Sequence, residues 1–276
     1  MHAAVRARLA TLERRFRLAA TYVASPRGDL FLDDNEWLAE DFLDWSQLGG
    51  GTAARKRAAA IFGAVVDAWD GVGSHPCAGG VFWTRSPASR DRNTVSTANG
   101  ALVGLRLYAA TGQAPYLAWS QRMLGWVDRC MLAPDGLYWD HIDLDGKVDR
   151  THWSYNQGSV IGANVLLYTL TGDAQALSRA ESIADASLTY FAERWNGEEP
   201  PEFAAIFFRN LLALAGVDGR QDYVAAAETY GDDAWSSARD ERTGLFSTAG
   251  KPRLLDQAAF VQLYAALAQQ TVKVAP

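Results

Sequence analysis

The stretch Leu107-Tyr108-Ala109-Ala110-Thr111-Gly112 occurs a second time, 60 residues further on, as Leu167-Tyr168-Thr169-Leu170-Thr171-Gly172. Each copy ends a helical pattern of apolar residues with a glycine, the residue that takes the left-handed position after a helix without a Cβ penalty. Another helical pattern starts within a few residues of each copy. The repeat therefore predicts helix hairpins closed by short turns.

The helical period extends over most of the 276 residues, and sustained alternation of period two is absent. A first helix is predicted with Leu9, Leu12, Phe16 and Ala20 on one face. Nine more are predicted at about 35–48, 53–69, 94–111, 114–132, 157–171, 174–191, 202–215, 223–238 and 254–269. Ten helices with little sheet predict an all-α fold.

Long connections alternate with the short glycine turns. They cover residues 25–33, 71–92, 133–154, 196–201 and 241–253. Short turns at one rim, including Gly112 and Gly172, and long loops at the other predict an α/α toroid. No linker divides the chain, so we expect one domain over residues 1–276. We expect the functional residues on the long loops, because loops on a rigid scaffold carry most binding and catalytic groups.

The composition excludes several classes of protein. A net charge of −6 argues against nucleic-acid binding, which usually needs a basic face. No apolar run approaches the roughly 20 residues of a membrane span. Residues 1–22 form an Arg-rich amphipathic stretch rather than a signal peptide, which predicts a cytoplasmic protein or a chain whose secretion signal has been removed. We expect a monomer.

The cysteines and histidines indicate neither a metal site nor a cofactor. Cys77 and Cys130 have no metal spacing and no disulfide framework, so we interpret them as free thiols. The four histidines form no HExxH pair. The aromatic content is high, with 10 Trp, 10 Tyr and 11 Phe, and aromatic faces are surfaces on which sugar rings stack.

Two adjacent carboxylates, Asp33 and Asp34, lie at a junction between a long loop and a helix. Such a pair can reach the separation of about 5–5.5 Å between nucleophile and acid/base in a retaining glycosidase, with one pKa raised by the other charge. The alternative is a capping box formed by Asp33 and Glu36. A second pair, Asp232-Asp233, falls within a predicted outer helix, where we expect a solvated face.

Other long-loop segments combine aromatic, amide, hydroxyl and carboxylate groups that suit sugar hydroxyls. They contain Gly80 and Trp83, Asn93, Asp140 and His141, and Tyr155-Asn156-Gln157. We expect Trp83, Asp140, Tyr155 and Asn156 to face the pocket that contains Asp33 and Asp34. A metal at Asp140 and His141 has little support, because a third ligand at suitable spacing is absent.

Four motifs, in order along the chain, resemble glycoside hydrolase family 76, the endo-acting α-1,6-mannanases with an (α/α)6 barrel. Asp33-Asp34-x-x-Trp37 resembles the family's Asp-Asp pair followed by tryptophan, and Gly79–Trp83 its Gly-Gly-aromatic segment. Arg92–Ser96 is similar to its Lys-Asn-x-x-Ser-Asn, and Tyr155-Asn156-Gln157-Gly158 to its Tyr-Asn-Gln-Gly.

The resemblance implies a retaining hydrolase of α-mannan, or of another mannose-containing glycan, that needs no cofactor. By position, Asp33 corresponds to the family's nucleophile and Asp34 to its acid/base. The substrate-binding residues that it implies, together with the loop segments, are Trp37, Gly80, Trp83, Asn93, Asp140, His141, Tyr155, Asn156 and Gln157.

The chain departs from the family pattern at three places. Thr97 stands in place of asparagine, which predicts the loss of one sugar contact, and Ala204 in place of lysine. About ten helices are predicted where the barrel has twelve, which places the missing pair before Asp33. Three alternatives stay open: a transglycosylase of the same mechanism, a non-catalytic glycan-binding relative, and a sugar 2-epimerase that uses a histidine pair, for which His141 and His152 are the candidates.

Overall fold

The computed structural model describes residues 11, 13–25, 27–195, 197–248 and 250–274, without side-chain detail after residue 270. Helices make up 64% of the described residues. They are α1 Leu32–Trp45, α2 Gly51–Asp67, α3 Thr94–Thr111, α4 Ala114–Cys130, α5 Ser154–Thr171, α6 Ala174–Phe191, α7 Pro201–Asp218, α8 Gln221–Ser237 and α9 Leu254–Val274. A π-helical segment, Ser46–Gly50, joins α1 to α2.

The strands are short and belong to two small antiparallel sheets. They are β1 Arg17–Leu18, β2 Thr21–Tyr22, β3 Asp91–Asn93, β4 His141–Asp143 and β5 Val148–Asp149. β1 pairs with β2, and the second sheet has the order β3-β4-β5, with Asn93 opposite His141. The prediction of an all-α chain with little sheet is confirmed.

All nine helices predicted beyond residue 33 occur in the described part, and α3 and α6 have the predicted ends. The first predicted helix is wrong at its C-terminal end. Leu9 and Leu12 lie outside the described residues, while the helical conformation stops at Phe16 and Ala20 lies in the turn between β1 and β2. The chain reverses there because Ala19, with φ of 53°, leaves the helical region.

The described residues fall into two compact units. The N-terminal unit comprises the residues up to Met131 together with Asp140–Arg150, and the C-terminal unit comprises Leu132–Trp139 and the residues from Thr151 onward. The single domain over residues 1–276 stays a prediction.

In the N-terminal unit α1 packs against α2 and α3, and α3 also packs against α4. In the C-terminal unit α5 packs against α6 and α7, while α7 and α8 both contact α9. Burial separates two kinds of helix. The first two-thirds of α3 and, apart from Tyr155, of α5 are buried on every side. By contrast, α6 buries one stripe, Ala176, Ala180, Ile183, Ala184, Ser187 and Phe191. That spacing is the apolar stripe of a helix with one face in water.

Glycines close the hairpins as the repeat predicts. Gly112 and Gly172 follow α3 and α5 in the left-handed conformation, with φ of 69° and 75°, and Gly219 follows α7 with φ of 79°. Each of the three donates its N–H to the carbonyl of the residue four positions earlier. The hairpin turns are confirmed, and the placement of Gly112 and Gly172 at one rim stays a prediction.

The described helices differ from membrane-spanning segments. Each of them is too short or too polar to cross the hydrocarbon core.

Candidate active site

The aspartate pair lies in the first turn of α1. Phe31 is the N-cap residue and makes no side-chain capping bond, so Asp33 and Asp34 are the second and third residues of the helix. The capping-box alternative is therefore wrong, because Asp33 is not at the cap position and Glu36 is buried rather than folded back over the helix end. The positive end of the helix dipole favours carboxylates here.

The two aspartates differ in their contact with solvent. Asp34 is exposed, whereas Asp33 is partly buried and its Oδ1 is shielded from water without a hydrogen-bond partner. Burial, then the negative charge of Asp34, raises the pKa of Asp33 to about 7, although Trp83 and backbone N–H groups act in the opposite direction. Desolvation also raises the pKa of Asp34. The pair therefore retains a proton near neutral pH.

Trp83 joins the glycine loop to the aspartate pair. Its indole Nε1–H donates a hydrogen bond of 3.2 Å to Oδ2 of Asp33. The backbone carbonyl of Trp83 accepts the N–H of Leu32 at 2.9 Å, and its ring packs 4.8 Å from that of Phe31. The indole remains 39% exposed, so it offers an apolar surface beside the nucleophile candidate. Trp37, four residues beyond Asp33, is half-buried on the same helix.

A second acid lies one turn further along α1. Glu36 is fully buried, and neither of its carboxylate oxygens has a hydrogen-bond partner. Burial, followed by the charges of Asp33 and Glu40, raises its pKa well above the usual range, against an opposing contribution from Asn99. Sequence reasoning treated Glu36 only as a capping residue, because burial of one helix face depends on what packs against it.

The glycine motif is shaped by close packing. Gly79 and Gly80 have φ of 108° and 86°, and a Cβ at Gly80 would lie 2.5 Å from the Trp126 ring. The Gly80 carbonyl accepts the N–H of Asp70 at 2.8 Å. Gly80, predicted to bind substrate, is therefore a position where the loop backbone passes over an indole.

Arg92 and a disulfide hold the same loop. The fully buried Arg92 guanidinium pairs with Asp70 at 3.0 Å and donates to four carbonyls. These carbonyls belong to Pro76, Cys77, Gly79 and Asp143. Cys77 and Cys130 form a disulfide, with Cα atoms 6.0 Å apart. The interpretation as free thiols is wrong, because tertiary packing brings together two cysteines 53 residues apart that have no informative spacing.

Asn93 follows Arg92 at the end of β3. It is 4% exposed, and its Oδ1 has no hydrogen-bond partner. Its backbone N–H donates to Val81, and its carbonyl accepts the hydroxyl of Thr97 at 2.7 Å. An amide with an unused acceptor remains compatible with the predicted sugar contact.

Asp140 and His141 form a dyad beside Asn93. Nδ1 of His141 lies 2.8 Å from Oδ2 of Asp140, and the Asp140 carbonyl accepts the N–H of Thr94. The hydrogen bond to Asp140 raises the pKa of His141. Among the described residues no group of three His, Cys, Asp or Glu side chains is placed to hold a metal ion.

The Tyr-Asn-Gln-Gly motif begins α5 in the C-terminal unit. Tyr155 is half-buried with its ring 4.1 Å from that of Phe203, and Asn156 is fully buried. A Cβ at Gly158 would lie 2.6 Å from Cα of Phe207, so this glycine permits the approach of α5 to α7. That Tyr155 and Asn156 face the aspartate pair stays a prediction.

Gln157 uses its amide on the backbone. Its Oε1 accepts the N–H of Tyr138 at 2.9 Å, and its Nε2 donates to the carbonyls of Tyr138 and Trp153 at 2.9 and 3.2 Å. Gln157 is fully buried. These bonds favour a structural role over the predicted contact with substrate.

Thr97 is the fourth residue of α3, as Gln157 is of α5. Its hydroxyl accepts the N–H of Val81 at 3.0 Å and donates to the carbonyl of Asn93. The Thr97 side chain is fully buried and bonds the loop backbone, and the loss of a sugar contact at this position stays a prediction.

His152, the second histidine of the epimerase alternative, has partners on both ring nitrogens. Nδ1 lies 3.1 Å from the carbonyl of Tyr138, and Nε2 lies 3.2 Å from Oδ2 of Asp135. A histidine held in this way is poorly placed to abstract a proton from carbon. This geometry does not support the epimerase alternative.

The C-terminal unit also contains a cavity of about 420 Å³ that none of the predicted site residues lines. Its glutamates have partners: Glu198 pairs with Arg194, Glu199 accepts the hydroxyl of Ser154 at 2.5 Å, and Glu202 pairs with Arg253. Burial raises the pKa of Glu199, while the hydroxyl and N–H of Ser154 act in the opposite direction.

The chain is similar in sequence to proteins of known description. Over 145 residues it is 30% identical to the mannan endo-1,6-alpha-mannosidase DCW1 of Saccharomyces cerevisiae. The matched region covers 49% of this chain and 31% of that protein. The matched region thus spans about a third of the length of this relative.

Solved structures are similar over most of the chain. A family 76 glycoside hydrolase from a bovine Bacteroides thetaiotaomicron strain is 25% identical with a TM-score of 0.80, covering 91% of this chain and 59% of that one. The GH76A alpha-1,6-mannanase of Salegentibacter sp. HEL1_6 is 25% identical with a TM-score of 0.78, covering 87% and 76%. The predicted fold class, all-α of the α/α-barrel type, is confirmed.

The sequence model of glycosyl hydrolase family 76 matches residues 22–218. This range contains the aspartate pair, the glycine loop, the β3 segment and the Tyr-Asn-Gln-Gly motif, in the order that the resemblance requires. The chain belongs to glycosyl hydrolase family 76.

Proposed function

We propose that the chain is an endo-acting hydrolase of α-1,6-mannan that works with retention through a covalent mannosyl-enzyme. The observation that carries this proposal is the proton-sharing pair at the start of α1: Asp33 with a pKa of about 7 beside the exposed Asp34. Two coupled carboxyls, one protonated and one ionised near neutrality, are what a retaining glycosidase requires.

The relatives support both the substrate and the pair. The yeast relative is described as a mannan endo-1,6-alpha-mannosidase. An inactive variant of the Salegentibacter enzyme, with two consecutive aspartates replaced by asparagine, was solved in complex with α-1,6-mannotriose. We assign the corresponding role in this chain to Asp33 and Asp34, with α-1,6-linked mannose as the substrate.

In the proposed first step an oxygen of ionised Asp33 attacks the anomeric carbon. The bond from that carbon to the glycosidic oxygen breaks, and the departing oxygen takes the proton of Asp34. In the second step water attacks the same carbon and gives a proton to Asp34, while the carboxylate of Asp33 leaves. The second inversion restores the α configuration. Transfer to a sugar hydroxyl in place of water is the transglycosylase alternative.

Substrate binding must move the proton within the pair. In the free protein Asp33 holds it more strongly than the exposed Asp34, whereas the proposed roles need it on Asp34. A sugar seated over Asp34 removes water from this carboxyl and raises its pKa. Asp33 meanwhile keeps the Trp83 donor and the N–H groups of the first helical turn, which favour its ionised form.

The test separates the two roles by the stereochemistry of azide rescue. We expect Asp33→Asn and Asp34→Asn each to lose at least about 10³-fold in activity on α-1,6-mannan, by analogy with the loss from removing a nucleophile or a proton-transfer group. With an aryl α-mannoside that has a good leaving group, azide should give the β-mannosyl azide with Asp33→Asn and the α-mannosyl azide with Asp34→Asn.

The control is Asp232→Asn, an exposed member of the second aspartate pair on α8. It should release reducing ends from α-1,6-mannan at the wild-type rate. If Asp33→Asn gave the α-mannosyl azide and Asp34→Asn the β-mannosyl azide, the roles of the two aspartates would be reversed. Full activity of both variants would show that the pair is wrong, and an inactive wild-type protein that still binds mannan would favour the glycan-binding alternative.

A further inference from the structure

Glu36 is a buried acid that the proposed reaction does not use. It lies three residues after Asp33 on α1, so the two side chains occupy the same face of the helix. Its exposed fraction is 0%, and both of its carboxylate oxygens are without hydrogen-bond partners. An acid in this position needs a physical explanation, because an unpaired buried carboxylate is among the most unfavourable groups in a protein interior.

The groups that surround Glu36 come from four helices. On α1 its charged neighbours are Asp33 and Glu40. On α3 it faces Asn99 and the backbone at Gly100, where an added Cβ would lie 3.4 Å from Oε1 of Glu36. Val65 of α2 and Met123 of α4 line the same point at Gly100.

Arg106 of α3 lies beside the same part of α1, but it forms ion pairs with acids other than Glu36. Its guanidinium pairs with Glu40 at 3.4 Å and with Asp44, one and two turns beyond Glu36. Among the described residues, no ion pair or hydrogen bond joins Arg106 to Glu36. With two acids as its charged neighbours and an amide on the facing helix, Glu36 is far more stable as the neutral carboxyl.

Asp33 has one carboxylate oxygen that lacks a hydrogen-bond donor. Trp83 donates to its Oδ2, while its Oδ1 is shielded from water and has no donor. A neutral carboxyl carries one O–H, and Asp33 is a carboxyl neighbour of Glu36 on the same helix face. Hydrogen bonds to the charged form favour ionisation of the acceptor.

We propose that Glu36 is a positioning residue that stays protonated and donates its O–H to Asp33, keeping the nucleophile ionised and oriented. The inference rests on the proposed role of Asp33. Glu36 itself transfers no proton in the reaction and keeps its proton throughout the catalytic cycle, whereas Asp34 carries out the proton transfers.

The first measurement detects the proton directly and needs no activity. Infrared difference spectra between wild type and Glu36→Gln are recorded at pH about 9, two units above the pKa of Asp33. The wild type should show the carbonyl band of a protonated carboxylic acid, and Glu36→Gln should lack it. Asp44→Asn, on the same helix but exposed and paired with Arg106, is the control and should keep the band.

The second measurement follows the acid limb of kcat/KM on an aryl α-mannoside with a good leaving group. Glu36→Gln keeps a neutral donor, so its limb should stay within about 0.3 pH units of wild type and its rate within about threefold. Glu36→Leu has no donor, so its limb should move up by about one unit, which lowers the rate at pH 6 by about tenfold. A residue that only fills space would not move the limb.

The outcomes are distinct. An unchanged infrared spectrum in Glu36→Gln overturns the proposal, because Glu36 would then be ionised. Equal pH profiles for Glu36→Gln and Glu36→Leu also overturn it, and Glu36→Met replaces the leucine variant if that protein does not fold. If the wild type is inactive on every mannoside, the proposed function fails while the infrared result still reports the proton on Glu36.

Discussion

At the scale of single residues, the chemistry of this chain depends on how much water each carboxyl contacts. Asp33 and Asp34 are neighbours at the same helix end, yet Asp34 is exposed and Oδ1 of Asp33 is shielded from water. The helix dipole stabilises both charges, so it does not distinguish them. Asp33 is further distinguished by the hydrogen bond that it accepts from the indole N–H of Trp83, in the loop before β3.

Trp83→Phe tests the hydrogen bond to Asp33. The indole donor favours ionised Asp33, so its loss should raise the pKa of Asp33 above about 7. Since the nucleophile must be ionised, the acid limb of kcat/KM should shift to higher pH by about 0.5–1 units. The phenyl ring keeps the packing against Phe31, and equal thermal stability of the two proteins is the control. An unchanged acid limb would show that Trp83 does not affect the pKa of Asp33.

Asp33→Asn tests the cost of burying this acid. The folded pKa of about 7 lies above the reference value of 3.8, so the native state holds a proton that the unfolded chain has released between these values. Native stability from this group therefore falls as pH rises from about 4 to about 7. The variant should be the more stable protein at pH 8 by at least about 1 kcal/mol, roughly one pKa unit, and equal to wild type near pH 3.

Unfolding by urea at both pH values measures this difference. Asp232→Asn, at an exposed position, should show no such change with pH. A lower stability of Asp33→Asn at pH 8 would mean that the carboxylate stabilises the fold.

At the scale of secondary structure, one device recurs at the start of four helices. The fourth residue of α1, α3, α5 and α9 accepts a backbone N–H from a segment earlier in the chain and donates to the carbonyl four positions earlier. These residues are Asn35, Thr97, Gln157 and Gln257. Three of them, Asn35, Gln157 and Gln257, also donate to the carbonyl of the same earlier residue. In α7 the fourth residue is Ala204, which has no such group.

Gln157→Ala and Gln257→Ala test the role of these amides as loop anchors. Each substitution removes the partners of a loop N–H and a loop carbonyl, which should lower the free energy of unfolding by about 1–3 kcal/mol. The exposed Gln221→Ala is the matched control and should stay within about 0.5 kcal/mol of wild type. Equal stability of Gln157→Ala and the control, with weaker binding of mannotriose, would restore Gln157 to the list of sugar contacts.

At the scale of the whole molecule, the helices form an all-α body whose longest loop, between α2 and β3, is held from several sides. The disulfide ties this loop to the end of α4, and Arg92 with Asp70 holds its carbonyls. His75 adds a contact of 2.9 Å to Asp70. The same loop carries Trp83 to Asp33, so its restraint determines the environment of the proposed nucleophile.

Replacement of both cysteines, Cys77→Ala with Cys130→Ala, tests how much the disulfide contributes. The two residues are 53 positions apart, and closing such a loop in the unfolded chain stabilises a protein by about 2–4 kcal/mol. The double variant should unfold at correspondingly lower urea concentration. Wild type treated with dithiothreitol should show the same shift, whereas the double variant should not respond to it. Identical unfolding of oxidised and reduced wild type would contradict the prediction.

The sequence by itself determined the helices and their turns. The apolar period of 3.6 and the glycines after α3 and α5 are local signals, so the bounds of α3 and α6 and the left-handed turns at Gly112 and Gly172 were predictable. The motif order was also sufficient to identify the family, and it predicted the aspartate pair. The end of the first predicted helix was missed because its apolar pattern continues to Ala20, beyond the point where the backbone turns.

Tertiary structure decided what these residues can do. Cys77 meets Cys130 only after a long loop packs against α4, and a spacing of 53 residues contains no signal for that contact. The burial of Glu36 depends on α3 passing close to α1 at Gly100, and Gln157 becomes a loop anchor only when residues 132–139 lie beside α5. The pKa of Asp33 depends on Trp83, 50 residues away. Local spacing determines backbone conformation, whereas desolvation and pairing depend on neighbours that only the folded chain brings together.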